Sequence, residues 1–133
     1  MESVEYGVGR FLDEPYDSAL PRVVEALKAE GFGVITEIDV KKVMQEKLGV
    51  AGRPYKILGA CNPPIAHAAL AADALIGLLL PCNVIVFEGE DGGVTVSFAN
   101  PRKLFELVET PGVEAMVEQV YGKLARAAQS LRG

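Results

Sequence analysis

The segment Cys82–Phe98, CNVIVFEGEDGGVTVSF, decides the fold. Cys82, Val84 and Val86 alternate with Asn83, Ile85 and Phe87, the period-two pattern of a strand, and both sets are largely apolar. Gly89-Glu-Asp-Gly-Gly reads as a turn, after which Val94, Val96 and Phe98 alternate with Thr95 and Ser97. Two strands joined by so short a turn make a hairpin, so the sheet contains at least one antiparallel pair. The first strand, apolar on both sides, needs a cover on each face. The second has one wet face.

Working upstream, Arg53–Phe87 holds both cysteines, the only histidine and the longest apolar run. Tyr55–Cys61 reads as a strand with Tyr55, Ile57, Gly59 and Cys61 on one face and Lys56, Leu58 and Ala60 on the other. Asn62-Pro63-Pro64 is a helix start, with Asn as the cap and Pro at the first helical position. That helix runs to about Ala72, with Ile65, Ala68, Ala69 and Ala72 on one stripe and His67 roughly opposite. Further upstream, Val4–Phe11 is a strand. The next helix is capped by Asp17 or Ser18, carries Pro21 in its first turn, and ends at Gly31. Phe32–Ile38 is another strand, and Asp39 caps a short helix through Leu48. Downstream, Asn100-Pro101 starts a short helix. Thr110-Pro111 starts the last one, with Val113, Met116, Val117, Val120, Leu124 and Leu131 along a stripe.

There are too few strand–helix crossovers for a doubly wound sheet. The pattern predicts an α+β fold: a largely antiparallel sheet of about five strands with helices packed on one face, in a β-α-β(4)-α-like topology with short extra helices. Ile57, Val84, Val86 and Phe98 are expected in the core, and residues 1–133 are expected to form a single domain, with no repeat or linker. The two-sided apolar strand and the alanine-rich helix predict a homodimer, the second copy supplying the missing cover.

Composition narrows the function. Eighteen acidic against thirteen basic residues leave a net charge of −5, a poor match to nucleic acid or to an anionic membrane surface. The apolar run Ala74–Phe87 is too short for a bilayer span and contains Pro81 and Asn83. The first residues lack the basic start and apolar segment of a secretory signal, so a cytoplasmic location and free thiols are expected. No phosphate loop, nucleophile elbow or H-E-x-x-H motif points to a cofactor.

The chemistry-bearing residues gather around the Cys61 junction. Cys61 ends a strand just before a helix N-terminus, where the dipole would favour a thiolate. His67 lies about one and a half turns on, making Cys61 and His67 the candidates for a catalytic pair. Cys61, His67 and Cys82 would be soft ligands for zinc or copper if the two cysteine-bearing strands are neighbours, although no local spacing motif supports a metal. Equally, a cysteine in an apolar strand is usually a small hydrophobe, a lone histidine usually packs or caps, and Asn62 as a helix cap needs no function. Asn83 would be an amide inside an apolar strand, in need of partners.

Three segments, GFGVITEIDVKKVMQEKLGV, RPYKILGACNPPIAHAAL and IGLLLPCNVIVFE, resemble the prokaryotic domain-of-unknown-function family numbered 302 across nearly the whole chain. The resemblance implies a small α+β fold of TATA-binding-protein-like topology and a homodimer, and it carries no established activity, substrate or cofactor. Residues characteristic of the family at this site match Cys61, Asn62, Pro63, His67, Cys82 and Asn83. The leading expectation is a small-molecule-binding or sensing module with a pocket around Cys61, Asn62, His67, Cys82 and Asn83. The alternatives are a thiol-dependent enzyme or metal-handling protein using Cys61 and His67, and an interaction homodimer with no chemistry.

Overall fold

The structure, a computed structural model, describes residues 3–131. The hairpin forms as β5 (Cys82–Glu88) and β6 (Val94–Ala99), and it stands at the centre of a six-stranded sheet. The chain reaches it through β1 (Ser3–Val4), β2 (Gly7–Leu12), α1 (Tyr16–Ala29), β3 (Gly33–Asp39), α2 (Val40–Leu48), β4 (Tyr55–Cys61) and α3 (Pro63–Ala72). A 3-10 helix, Ala74–Leu79, links α3 to β5, and α4 (Pro101–Leu104) and α5 (Val113–Ser130) follow the sheet. The strand order is β1-β2-β6-β5-β4-β3 and every neighbouring pair is antiparallel. The fold is α+β, as the residue pattern predicts, with five full-length strands and a two-residue sixth.

Register sorts the side chains into two faces. Leu58, Val84 and Phe98 lie directly opposite one another across β4, β5 and β6, and Val86 opposes Val96 in the next row. These residues meet Ala19, Val23 and Leu27 of α1 and Leu124 and Ala127 of α5 in the main core. Each Val, Leu or Phe among them contributes about 1.5–3 kcal/mol by leaving water. At one edge of this face the Arg10 Nε–H donates to the Ala128 carbonyl at 2.9 Å, closing the last turn of α5 with a cation. A second, smaller cluster of Ala69, Ile76 and Val113 forms where α3, the 3-10 helix and α5 meet.

On the opposite face, Ile38, Ile57, Ile85, Ser97 and Gly9 form one row, and Tyr55, Phe87, Thr95 and Phe11 form another. Among the described residues no core cluster lies over these rows. Ile57 is therefore only partly buried, correcting its expected place in the core, and Asn83 is exposed instead of buried. Tyr55 and Phe87 stack with centroids 5.1 Å apart and Arg53 sits over the Phe87 ring at 5.4 Å.

Local chemistry moved several expected boundaries. The first strand folds back at Glu5–Tyr6 and becomes β1 and β2. Helix α1 begins after Pro15 with no side-chain cap, because Ser18 Oγ donates to Glu14 instead, and Pro21 lies inside the helix at an exposed position. Gly31, at φ 85°, ends α1 in a Schellman turn: its N–H reaches the Lys28 carbonyl and that of Phe32 reaches Leu27. Thr110 does not cap α5. Its hydroxyl donates to Asp73 at 2.9 Å, and α5 starts after Gly112 at φ 88°. The segment after α3 carries no clear periodicity, yet it coils as the 3-10 helix, with Asp73 accepting from the Leu75 N–H at 3.0 Å.

Candidate functional site

The main core and the smaller cluster do not close on one another. At the seam between them lies a cavity of about 270 Å³. Its floor is the junction of β4 and α3, where Ala60, Cys61 and Asn62 turn from the sheet into the helix, together with Pro81 and Cys82 opening β5. Ile65, Ala66 and Ala69 form one wall from α3. Val113, Met116, Val117 and Val120 form the facing wall from α5, and Pro101 and Phe105 close the end.

Asn62 is the hinge of this site, and its side chain is committed in both directions. Oδ1 accepts from the Ile65 N–H at 3.4 Å as the cap of α3, while Nδ2 donates to the Glu30 carbonyl at 3.5 Å. Gly31 makes the second contact possible: besides its positive φ, a Cβ there would come within 2.9 Å of Asn62 Nδ2. The Schellman turn of α1 and the start of α3 are thus held against each other, which fixes one end of the cavity. Asp73 fixes the other by bonding both the 3-10 helix and Thr110.

Cys61 and Cys82 both line the cavity and are both partly buried. Ala60 is the register partner of Cys82. Burial in the apolar wall pushes the Cys82 thiol up to about 11, with the nearby Cys61 adding to the rise. The other sequence candidates are not brought here. His67 and Asn83 are exposed, and neither lines the cavity. The Cys61, His67 and Cys82 ligand set therefore does not assemble, and among the described residues no three His, Cys, Asp or Glu side chains stand close enough to hold a metal ion. Of the expected catalytic pair, Cys61 lines the cavity and His67 does not.

The residues sequence reasoning missed as site residues are Val113, Met116, Val117 and Phe105, which read only as core stripe, and Ile35 and Leu70 at the rim. Apolar side chains that line a void have the same spacing as those that fill one, so no signal separated them. A second, shallower depression is lined by Asp13, Glu14, Asp17, Glu88 and Asp91 around Tyr16. Burial, then Asp39, Glu37 and Asp17, push the Tyr16 phenol up to about 12. Its carboxylates are not gathered into a ligand set.

Among the described residues no helix is long and apolar enough to cross a membrane. No curated protein matches the sequence. The crystal structure of an uncharacterized conserved protein DUF302 from Bacillus stearothermophilus superposes with a TM-score of 0.87 at 27% identity, over 97% of this chain and 100% of that one. The family described as "Domain of unknown function DUF302" matches residues 10–131. With nearly every element of the sheet and both walls of the cavity inside that match, the chain belongs to the DUF302 family.

Proposed function

We propose that the protein is a homodimeric small-molecule-binding or sensing module whose pocket is the cavity between α3 and α5, with Cys61, Asn62 and Cys82 in its wall. One observation carries this reading. Protein interiors leave few voids larger than a water molecule, and a space of about 270 Å³ between two otherwise packed clusters approaches the size of ligand pockets. The floor is built by a strand–helix junction and not by a loop, so its shape is set before a ligand arrives. A reducing compartment such as the cytoplasm keeps both cysteines as thiols, leaving the cavity unlinked across its floor. The homodimer is supported by the second face of the sheet, whose two central rows are uncharged and carry no helix cluster.

Native mass spectrometry of the full chain, purified without chelator, tests the reading. The expected result is a mass of two chains carrying a retained organic molecule, lost in Ala69→Phe, which fills the cavity. A ligand-free mass together with an unmoved melting temperature across a library of small organic compounds would sink it.

A further inference from the structure

We infer that the cavity takes an uncharged, predominantly apolar ligand of about ten non-hydrogen atoms, entering between Ile35 and Leu70. The inference rests on reading the cavity as a ligand site, and it adds the class of molecule and the route.

Size sets the first limit. A dry apolar cavity of about 150 Å³ accommodates benzene, and the present one measures about 270 Å³. A fused pair of rings or a short branched hydrocarbon skeleton is the corresponding content.

Charge sets the second. Among the described residues no charged side chain lines the cavity. The one amide, Asn62, is neutral and holds Oδ1 against the Ile65 N–H and Nδ2 against the Glu30 carbonyl, so at most one N–H is left, which does not offset the lost hydration of an ion. The N–H of Ile65, at the positive end of α3, already donates to that same Oδ1. Cys82 stays a neutral thiol because burial opposes its ionisation. An ion moved here would lose its hydration and find no compensating partner, which is the costliest transfer a binding site can ask for. A thiol can still meet one weakly polar atom, so a single hydroxyl or carbonyl on the ligand is tolerated at the Cys61–Cys82 floor.

The route follows from the edge strand. The β3–β4 register shifts between Val34 and Thr36, and the extra residue, Ile35, leaves the ladder. Ile35 is 62% exposed and Leu70 42% exposed, yet both contribute to the lining. Residues that are at once wall and surface mark the mouth.

Matched ligands separate this inference from the reading beneath it. Titrate the full-length ¹⁵N-labelled protein with naphthalene and, separately, with 1-naphthoate at pH 7, following the amides of Ala66, Ala69 and Val117. Naphthalene is expected to shift these amides saturably, and naphthoate to bind at least about tenfold more weakly. Ala66→Leu, at a partly buried helix position, and Val117→Phe should each weaken naphthalene by a similar factor while the spectrum stays dispersed. Ile35→Asp should slow its entry. If naphthoate binds the same amides as tightly as naphthalene, the ligand class is wrong while the pocket stands. If neither compound moves those amides, or filling variants leave naphthalene binding intact, the cavity is not a ligand site and both readings fall.

Discussion

At Cys82 the fold has a thiol whose ionisation it opposes, and stability should record this. Its ordinary value of 9.0 is pushed to about 11 by burial first and by Cys61 second. Between those two values the unfolded chain gives up the proton while the folded chain keeps it, so the unfolded state holds fewer protons and stability falls as pH rises. Below pH 9 the contribution is complete; by pH 11 about 2–3 kcal/mol is gone. Denaturant midpoints at pH 8 and pH 10.5 should therefore drop less in Cys82→Ala than in the wild type, while Tyr16, titrating near 12 in both, cancels in the comparison. Equal drops would show that Cys82 is solvated. Iodoacetamide at pH 8 should modify Cys61 ahead of Cys82, read peptide by peptide; the reverse order would place Cys82 at the mouth. Gly59 makes a separate demand, because a Cβ there would overlap Thr36 Oγ1 and the Pro81 ring. Gly59→Ala should cost about 1–3 kcal/mol in urea unfolding, and a neutral result would mean that Pro81 gives way freely. Among the site residues, Asn62 was legible as a cap because Asn-Pro-Pro is a local signal. His67 and Asn83 were not, since which side of a helix or strand faces the interior depends on partners distant in sequence.

The central hairpin shows how far an element can be read. Strict alternation in Val94–Phe98 settled which side of β6 is buried, and Phe98 is 1% exposed beneath α1 and α5. Phe98→Ala should cost about 3–5 kcal/mol in denaturant unfolding, and a loss below about 1 kcal/mol would place β6 at the periphery. In β4 and β5, where both faces are apolar, alternation could pair residues but could not name the buried set. Alternation alone puts Ile57 in the core, although its register partners Ile38 and Ile85 lie on the uncovered face. The same ambiguity hid the cavity. Helix α5 reads as one continuous stripe, yet Val120 and Leu124 reach the main core while Val113 belongs to the smaller cluster. Periodicity reports that a face is apolar; only the placement of α3 leaves a gap along it.

For the whole molecule, the uncovered face is the unsolved half of the architecture. Two rows run across it, Ile38-Ile57-Ile85-Ser97-Gly9 and Tyr55-Phe87-Thr95-Phe11, and neither contains a charge. Phe11 and Ile38 are 47% and 48% exposed. Five strands about 4.8 Å apart and about 20 Å long present roughly 500 Å² of flat sheet, and more once the side chains standing on it are counted. That is of the order of the roughly 800 Å² per partner that a standard stable interface buries. Arg53 stands over the Phe87 ring at one end of the second row, while the rows themselves carry no charge and so bring no like-charge repulsion to a second copy; the pairing of identical faces closes on itself as a two-fold dimer. Sedimentation equilibrium at micromolar concentration should therefore return two chains. Ile85→Asp, at the centre of the face and only partly buried in a single chain, should return one chain with its circular dichroism unchanged. In a two-fold dimer formed through this face, a carboxylate there would be desolvated against the partner copy and opposed by that copy's own carboxylate. A wild type that sediments as a monomer would leave the face to another protein, and an Ile85→Asp variant that still dimerises would move the interface elsewhere, the exposed Leu75 and Leu78 of the 3-10 helix being the next apolar surface to substitute.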